Sequence, residues 1–347
     1  MIETLTGAVD QVSLVLDHGE PRSFSKLARA SLPRSCLDTL VKECFESRCT
    51  RDKAEVLDDD RVFRLVGIPI LGPVGGVFAV AVWSASILEP LPRLPVIGAV
   101  EWTPSGLLTS NPVAEYLLRP RNELPDGRTI PELLRSFDRW DDRAAFLDMF
   151  NFRETPADRW IGTAAKRYED GTYHQFHLAA RAVGSGAERR VRAIVCDVTG
   201  TAPTLGTTDL TVAALRAIPI PPGHAVALVD LKTAFVHEWL AEEHSPMAGW
   251  QHHNPLYDFD GRVRVATACH ELAQGFYDRA TVAVRVRFTP TDNWVDVSGD
   301  WTRIPAEPRP QAILDITPVH PNPPPPVSGC GLCYELTHPN QPADAEQ

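Results

Sequence analysis

Lys166–Thr199 reads KRYEDGTYHQFHLAARAVGSGAERRVRAIVCDVT. Three strand-like runs stand between two turn signals: one ends at Tyr168, one spans Tyr173–Val183 and one spans Arg190–Val198. Asp170-Gly171 supplies the positive φ of a tight hairpin, and Gly184-Ser185-Gly186 suits a second turn. The stretch therefore predicts three antiparallel strands. A looser echo follows about one domain further on, through Arg287-Phe288, Trp294–Ile304 and Gln311–Thr317. Its closing phrase, Ala312-Ile313-Leu314-Asp315-Ile316-Thr317, matches Ala193 to Thr199, so the chain carries one kind of module twice.

The totals set the frame. A chain of 347 residues with 44% hydrophobic content fills two or three domains of about 100–150 residues. Its 31 prolines fall largely between the periodic segments, as stiff linkers between small domains would require. A net charge of −11 argues against a nucleic-acid partner, which selects a basic face. The seven cysteines are scattered, and Met1 leads into IETLTGAVDQVSLVL without a basic region or cleavage site. Reduced thiols and a cytoplasmic location are the expectation. Leu65 to Leu88 carries no charge over a length that could span a bilayer. Gly72-Pro73-Val74-Gly75-Gly76 divides it into two strand-length runs, so a buried hairpin over Arg61–Leu71 and Val77–Ser84 is predicted instead.

Before that hairpin, Gln11–Asp17 reads as a strand and Ser35–Arg48 as a helix. Leu37, Leu40, Val41, Cys44 and Phe45 make its apolar stripe, and Ser35 is its expected cap. The order, closed by VFRLVGIPILGPVGGVFAVAVW, resembles a GAF domain, in which a proline-containing strand pairs with a returning glycine-led strand.

After the proline-rich linker, Val96–Thr103 reads as a strand that turns back through Pro104-Ser105-Gly106. Asn111 before Pro112 is a helix start, and Thr129-Ile130-Pro131-Glu132 is a capping box opening Pro131–Phe137. Asp141–Phe150 is a further amphipathic helix. Asn111, Gly127 with Glu132-Leu133-Leu134, Trp160 and Asp170-Gly171, in that order, resemble a PAS domain over about 100 residues. Thr207–Ala217 is the expected connecting helix, and Ala225–Asp230 a strand. Residues 231–280 show only helical patches, at Ala234–Glu243 and Thr267–Gln274. The strands that follow resemble a second PAS domain without the capped helices of the first.

The fold class expected is α+β, with three small domains, each an antiparallel sheet flanked by helices. Residues 1–90 form the GAF-like domain, 91–95 a linker, 96–202 the PAS-like domain, and 203–223 a connecting helix and linker. Residues 224–319 form the degenerate second PAS-like domain and 320–347 a disordered proline-rich tail. The whole resembles an actinobacterial family of triple sensor-domain proteins that lack an attached output domain.

Motifs of chemistry are sparse. The chain has no phosphate-binding G-x-x-x-x-G-K-[ST] loop and no G-x-S-x-G elbow. His237-Glu238 starts a zinc-protease motif, but Ala241 stands where its second histidine belongs. His270-Glu271 suits a phosphoacceptor, but no ATP-binding region follows it. Cys330 and Cys333 with His338 are the weak metal candidate. His174 and His177 could ligate haem, but strand alternation sets them on opposite faces, so one at most points inward. No cofactor is predicted, with haem and flavin left open. Trp102, Tyr116, Phe150, Trp160 and Phe176 could line an apolar ligand pocket, although rings of this size more often fill a core. Trp294 and Trp301 face opposite sides of a strand, and an exposed one would be an interface candidate.

These readings predict no enzyme. By the resemblance, the chain is a signal-perception protein, cytoplasmic and without a membrane span. It would bind a small apolar ligand or a partner and pass the signal to other signalling proteins that supply the output. The alternative is a structural scaffold whose pockets are filled by side chains.

Overall fold

The computed structural model describes residues 1–30, 32–56, 62–87, 89–90, 94–118, 128–151, 158–201, 213, 216–241, 253–305 and 309–319. These form three antiparallel six-stranded sheets in chain order, each with helical cover.

The first sheet comprises β1 (Ile2–Glu3), β2 (Ser13–Asp17), β3 (Glu20–Ser25), β4 (Arg51–Val56), β5 (Val62–Leu71) and β6 (Val77–Ser86), with α1 (Arg34–Ser47) between β3 and β4. Its strand order is β3-β2-β1-β6-β5-β4. The predicted hairpin is β5–β6, with Ile68 opposite Ala81. The predicted apolar stripe of α1 is buried on the sheet through Leu37, Leu40, Val41 and Cys44. Each such leucine contributes about 1.5–3 kcal/mol on leaving water. Pro33, not Ser35, precedes the first turn of α1, and no side chain caps it. Gly67 on β5 lets the helix sit close, because a Cβ there would come within 2.7 Å of the Cys44 sulfur.

The second sheet comprises β7 (Ile97–Trp102), β8 (Leu108–Ser110), β9 (Arg139–Trp140), β10 (Arg159–Arg167), β11 (Tyr173–Val183) and β12 (Arg190–Asp197). Three short helices, α2 (Pro112–Leu117), α3 (Ile130–Arg135) and α4 (Arg143–Asp148), lie between β8 and β10. Asn111 Oδ1 accepts from Ala114 N at 2.8 Å, and Thr129 Oγ1 accepts from Glu132 N at 3.4 Å, so both local start signals operate. The third sheet comprises β13 (Ala225–Asp230), β14 (Phe235–Ala241), β15 (Leu256–Tyr257), β16 (Arg279–Arg287), β17 (Val295–Ile304) and β18 (Gln311–Pro318), with α5 (Phe259–Gln274) before β16. The orders β8-β7-β12-β11-β10-β9 and β14-β13-β18-β17-β16-β15 are the same when each sheet is numbered from its own first strand. The matched closing phrases are β12 and β18, each lying beside the first strand of its sheet.

One expectation fails outright. The sequence suggests a helical patch over Ala234–Glu243, yet 235–241 form β14, registered against β13 with Ala227 opposite Trp239. Ala234 ends the turn at φ 59, and the strand then buries both faces. Trp239 enters the core of the third unit, while Phe235 packs against that of the second. Tertiary burial has overridden the helix propensity of Ala, Glu and Leu. The second predicted patch is real and longer: α5 starts at Asp258, whose Oδ1 accepts from Gly261 N at 2.8 Å.

The sheets stack in a definite sequence. α1 covers one face of the first sheet, and the opposite face packs directly on the second sheet through Leu5, Val15, Phe78, Ala99, Ala179 and Ile194. The other face of the second sheet carries α2–α4, and α3 in turn meets β14 of the third. No helix among the described residues is long and apolar enough to cross a membrane.

Candidate functional site

The interior between the second sheet and its helices is where a ligand pocket was expected. Trp102, Phe150, Trp160 and Phe176 all point there, each at most 5% exposed. They are packed on one another and on their neighbours. The Trp102 ring stands 5.4 Å from Phe146 and 6.3 Å from Phe150, Trp160 stacks on Trp140 at 5.7 Å, and Phe176 meets Phe137 at 5.9 Å. Edge-on contacts of this kind add about 0.5–1.5 kcal/mol each to the burial of the rings. Tyr116 stands apart, 57% exposed on the outer side of α2. His174 and His177 lie on opposite faces, as their spacing requires. His174 Nδ1 is 2.7 Å from Asp197 Oδ2, and His177 Nε2 donates to Val15 O of the first sheet at 3.0 Å.

A larger opening lies elsewhere, at the seam between the first and second sheets. It is a cleft of about 540 Å³. Leu16, Asp17 and His18 of β2 and its turn form one wall, and Ala81 to Ser84 of β6 the other. Ile97 and the end of β12, Asp197 to Thr199, close it from the second sheet, with Leu32 and Leu37 opposite. Both units contribute to the lining, so an occupant touches both. A smaller apolar cavity, about 30 Å³, lies between the third sheet and α5 beside Trp239, Tyr257 and Trp301. It has room for a water molecule or two and for no organic ligand.

The contacts between units are polar as well as apolar. Arg181 Nε on β11 donates to Glu3 Oε1 at 2.9 Å and its Nη2 to Ser13 Oγ at 3.1 Å, which ties the first sheet to the second. Between the second and third, Glu238 on β14 is completely buried and accepts from Arg143 Nη1 at 3.2 Å and Arg216 Nε at 2.9 Å. Arg309, 4% exposed, donates through Nη2 to Asp230 Oδ2 at 2.8 Å and through Nη1 to Asp148 at the end of α4. His237 Nε2 donates to Gln311 Oε1 at 2.7 Å within the same network. Burial drives the His237 imidazole down to about 4, helped by the nearby Arg143 charge. His177, at the first seam, is likewise pushed to about 4 by burial. Both rings are therefore neutral hydrogen-bonding groups at neutral pH.

The remaining sequence candidates sort plainly. Trp301 is 4% exposed in the core of the third sheet, while Trp294 is 36% exposed with the Arg287 guanidinium 4.5 Å from its ring centre. His237-Glu238, noted as a protease-like pair, is instead part of the ion-pair network. Cys330, Cys333, His338 and the tail lie outside the described residues, as does most of the expected connector 207–217. Among the described residues, no group of three or more His, Cys, Asp or Glu side chains could hold a metal. The cleft and the two charged junctions left no signal in the sequence, because their members lie far apart in it, Arg181 and Glu3 by 178 positions.

Stacked α+β units of this order define a multidomain chain of linked antiparallel sheets. Residues 1–93 match the family model described as Rv3651-like, N-terminal. A crystal structure of an uncharacterised protein from Mycobacterium tuberculosis superimposes with a TM-score of 0.67 at 20% identity, covering 92% of this chain and 95% of that one. That likeness shows that the three-sheet fold is shared. A structure of an RNA-binding Light-Oxygen-Voltage receptor aligns over 64% of this chain and 95% of that one at 10% identity, with a TM-score of 0.25, too low to carry an argument. No curated protein matches the chain.

Proposed function

We propose that this chain is a non-catalytic signal-perception protein, built from a GAF-like unit and two PAS-like units. Its input is occupancy of the cleft between the first and second sheets. Its output is a changed placement of the third unit, read by a separate signalling protein. The observation that carries this reading is the lining of the cleft by both units, which makes occupancy a term in how they pack. From there the second sheet, its helices and the Arg143–Glu238 and Asp148–Arg309 pairs form a continuous physical route to the third sheet. Nucleic acid is not among the proposed partners, on the grounds of the acidic net charge.

A scaffold without a ligand is the second reading, favoured by the filled aromatic interior of the central unit. Native mass spectrometry of freshly purified full chain separates the two. A co-purified mass that leaves on mild denaturation, with a change in solution scattering on its removal, supports perception. A bare chain whose scattering is unmoved by any added extract fraction supports the scaffold.

A further inference from the structure

α5 buries Val265, Ala268, Cys269 and Leu272 on the third sheet. Its opposite face carries large apolar side chains too, which a helix covering one sheet does not require. Phe259, Val263, Ala266 and His270 follow at steps of four, three and four, so they form one stripe turned away from the sheet. Phe259 is 81% exposed and Val263 52%. The chain adds to the far end of this stripe. Gly275 takes φ 73, and Phe276 N donates to Glu271 O at 3.0 Å, which folds the chain back on the last helical turn. Phe276 and Tyr277 are 67% and 59% exposed there. Large apolar side chains thus meet water at both ends of one helix, with the small Ala266 and Thr267 at its middle.

The charges beside the stripe decide what fits it. Arg264 and Glu271 lie two turns apart on one flank, on either side of Thr267. Arg264 Nε donates to Ala283 O at 3.0 Å, and among the described residues neither side chain has an ion-pair partner within the chain. A second α5 can be laid antiparallel across the stripe, with a twofold axis at Ala266–Thr267. Each Arg264 then stands beside the Glu271 of the other copy, and each Val263 against the other His270. Phe259 of each copy meets Phe276 and Tyr277 of the other. The same patch serves both sides, as a twofold contact requires. Arg262, on the opposite flank, faces Ala273, so no like charges meet. A parallel pair would instead set Arg262 on Arg262 and Arg264 on Arg264.

We propose that the outer face of α5 is a self-association surface, on which two copies of this chain pair antiparallel. Phe259 with Phe276 and Tyr277 anchors each end, and two Arg264–Glu271 ion pairs between the copies fix the register. One helix and its cap make a small interface, so the dimer should dissociate on the order of 10 μM. The pairing involves no residue of the cleft and stands whatever occupies it.

The test is sedimentation equilibrium of the full chain under reducing conditions, from about 1 to about 300 μM. The expected result is a reversible monomer–dimer equilibrium. Phe259→Ser should weaken it about tenfold or more with circular dichroism and thermal unfolding unchanged, because the side chain is exposed in the monomer. Glu271→Arg sets cations side by side across the twofold axis and should weaken it by about tenfold. Adding Arg264→Glu reverses both pairs and should restore the dimer to within about threefold of wild type. A wild-type chain that stays monomeric throughout overturns the proposal and leaves the face to another protein or to the chain's own tail. A dimer that tolerates Phe259→Ser, or one that the folded reversed pair fails to restore, overturns it as well, because the contact then lies elsewhere or in another register.

Discussion

Arg143 at the start of α4 donates to Glu238 at 3.2 Å, and Glu238 has no solvent exposure at all. The pair joins the helical layer of the second sheet to the edge strand of the third. A buried carboxylate that loses its cations, or buried cations that lose their carboxylate, cost far more than the pair itself contributes.

Glu238→Ala removes the buried carboxylate that accepts from both Arg143 and Arg216. We expect a loss of about 3–5 kcal/mol in the stability of the third unit, read as faster amide exchange along β14. The double variant Arg143→Met with Glu238→Met is expected to recover a large part of that loss, because it removes both members of the pair together. A single variant no worse than the double would refute the coupling.

Gly98 on β7 lies beneath α2. A Cβ there would come within 2.5 Å of the Ala114 Cα, which is backbone and cannot rotate away. Gly98→Ala should therefore cost about 1–3 kcal/mol through displacement of the helix. Gly76→Ala is the control: its Cβ would meet nothing closer than 3.8 Å, and its effect in the same denaturant titration should be near zero or slightly stabilising.

Asn111 acts twice. Its Oδ1 caps α2, and its Nδ2 donates to Leu71 O of the first sheet at 2.7 Å. Asn111→Asp keeps the cap and loses the donor, whereas Asn111→Ala loses both. Amide exchange should show α2 intact and the seam loosened in the first variant. In the second, α2 should be weakened by a further ~1 kcal/mol.

Acid should loosen both junctions. His177 and His237 have folded-state values lowered from 6.5 to about 4, so the unfolded chain binds protons that the folded chain refuses. Stability is then full above about pH 6.5 and falls as pH drops toward 4, by roughly 3 kcal/mol per histidine at most. Urea titrations between pH 7 and 4 should show this slope, and His177→Gln with His237→Gln should flatten it. An unchanged slope in the double variant would place the acid sensitivity in other groups.

Local signals in the sequence carried most of the fold. Asp170-Gly171 placed the β10–β11 turn, Asn111 and the Thr129/Glu132 pair placed two helix starts, and the glycine-proline break at 72–76 separated β5 from β6. Each works through bonds within a few residues, so a single chain displays it. β14 was not legible, because its strand character comes from being buried on both faces by partners far away in sequence. The same is true of the aromatic side chains: their sizes were visible, but not that Trp102 and Phe150 fill the interior while Tyr116 turns outward. The cleft was invisible for a third reason. Its lining comes from both units, Leu16 and Ala81 of the first with Ile97 and Val198 of the second, and no motif records their meeting.

In the proposed function, what happens in the cleft is felt at the third unit. It can be tested without knowing the native occupant. Ser84 lines the cleft and is exposed, so Ser84→Cys can be alkylated with N-phenylmaleimide in a chain whose Cys36, Cys49, Cys330 and Cys333 are serine. Hydrogen exchange is then followed along β14 and α4 before and after labelling. Filling the cleft is expected to change protection at the Glu238 and Trp239 amides by about threefold or more. Complete labelling with unchanged exchange at both elements would contradict it.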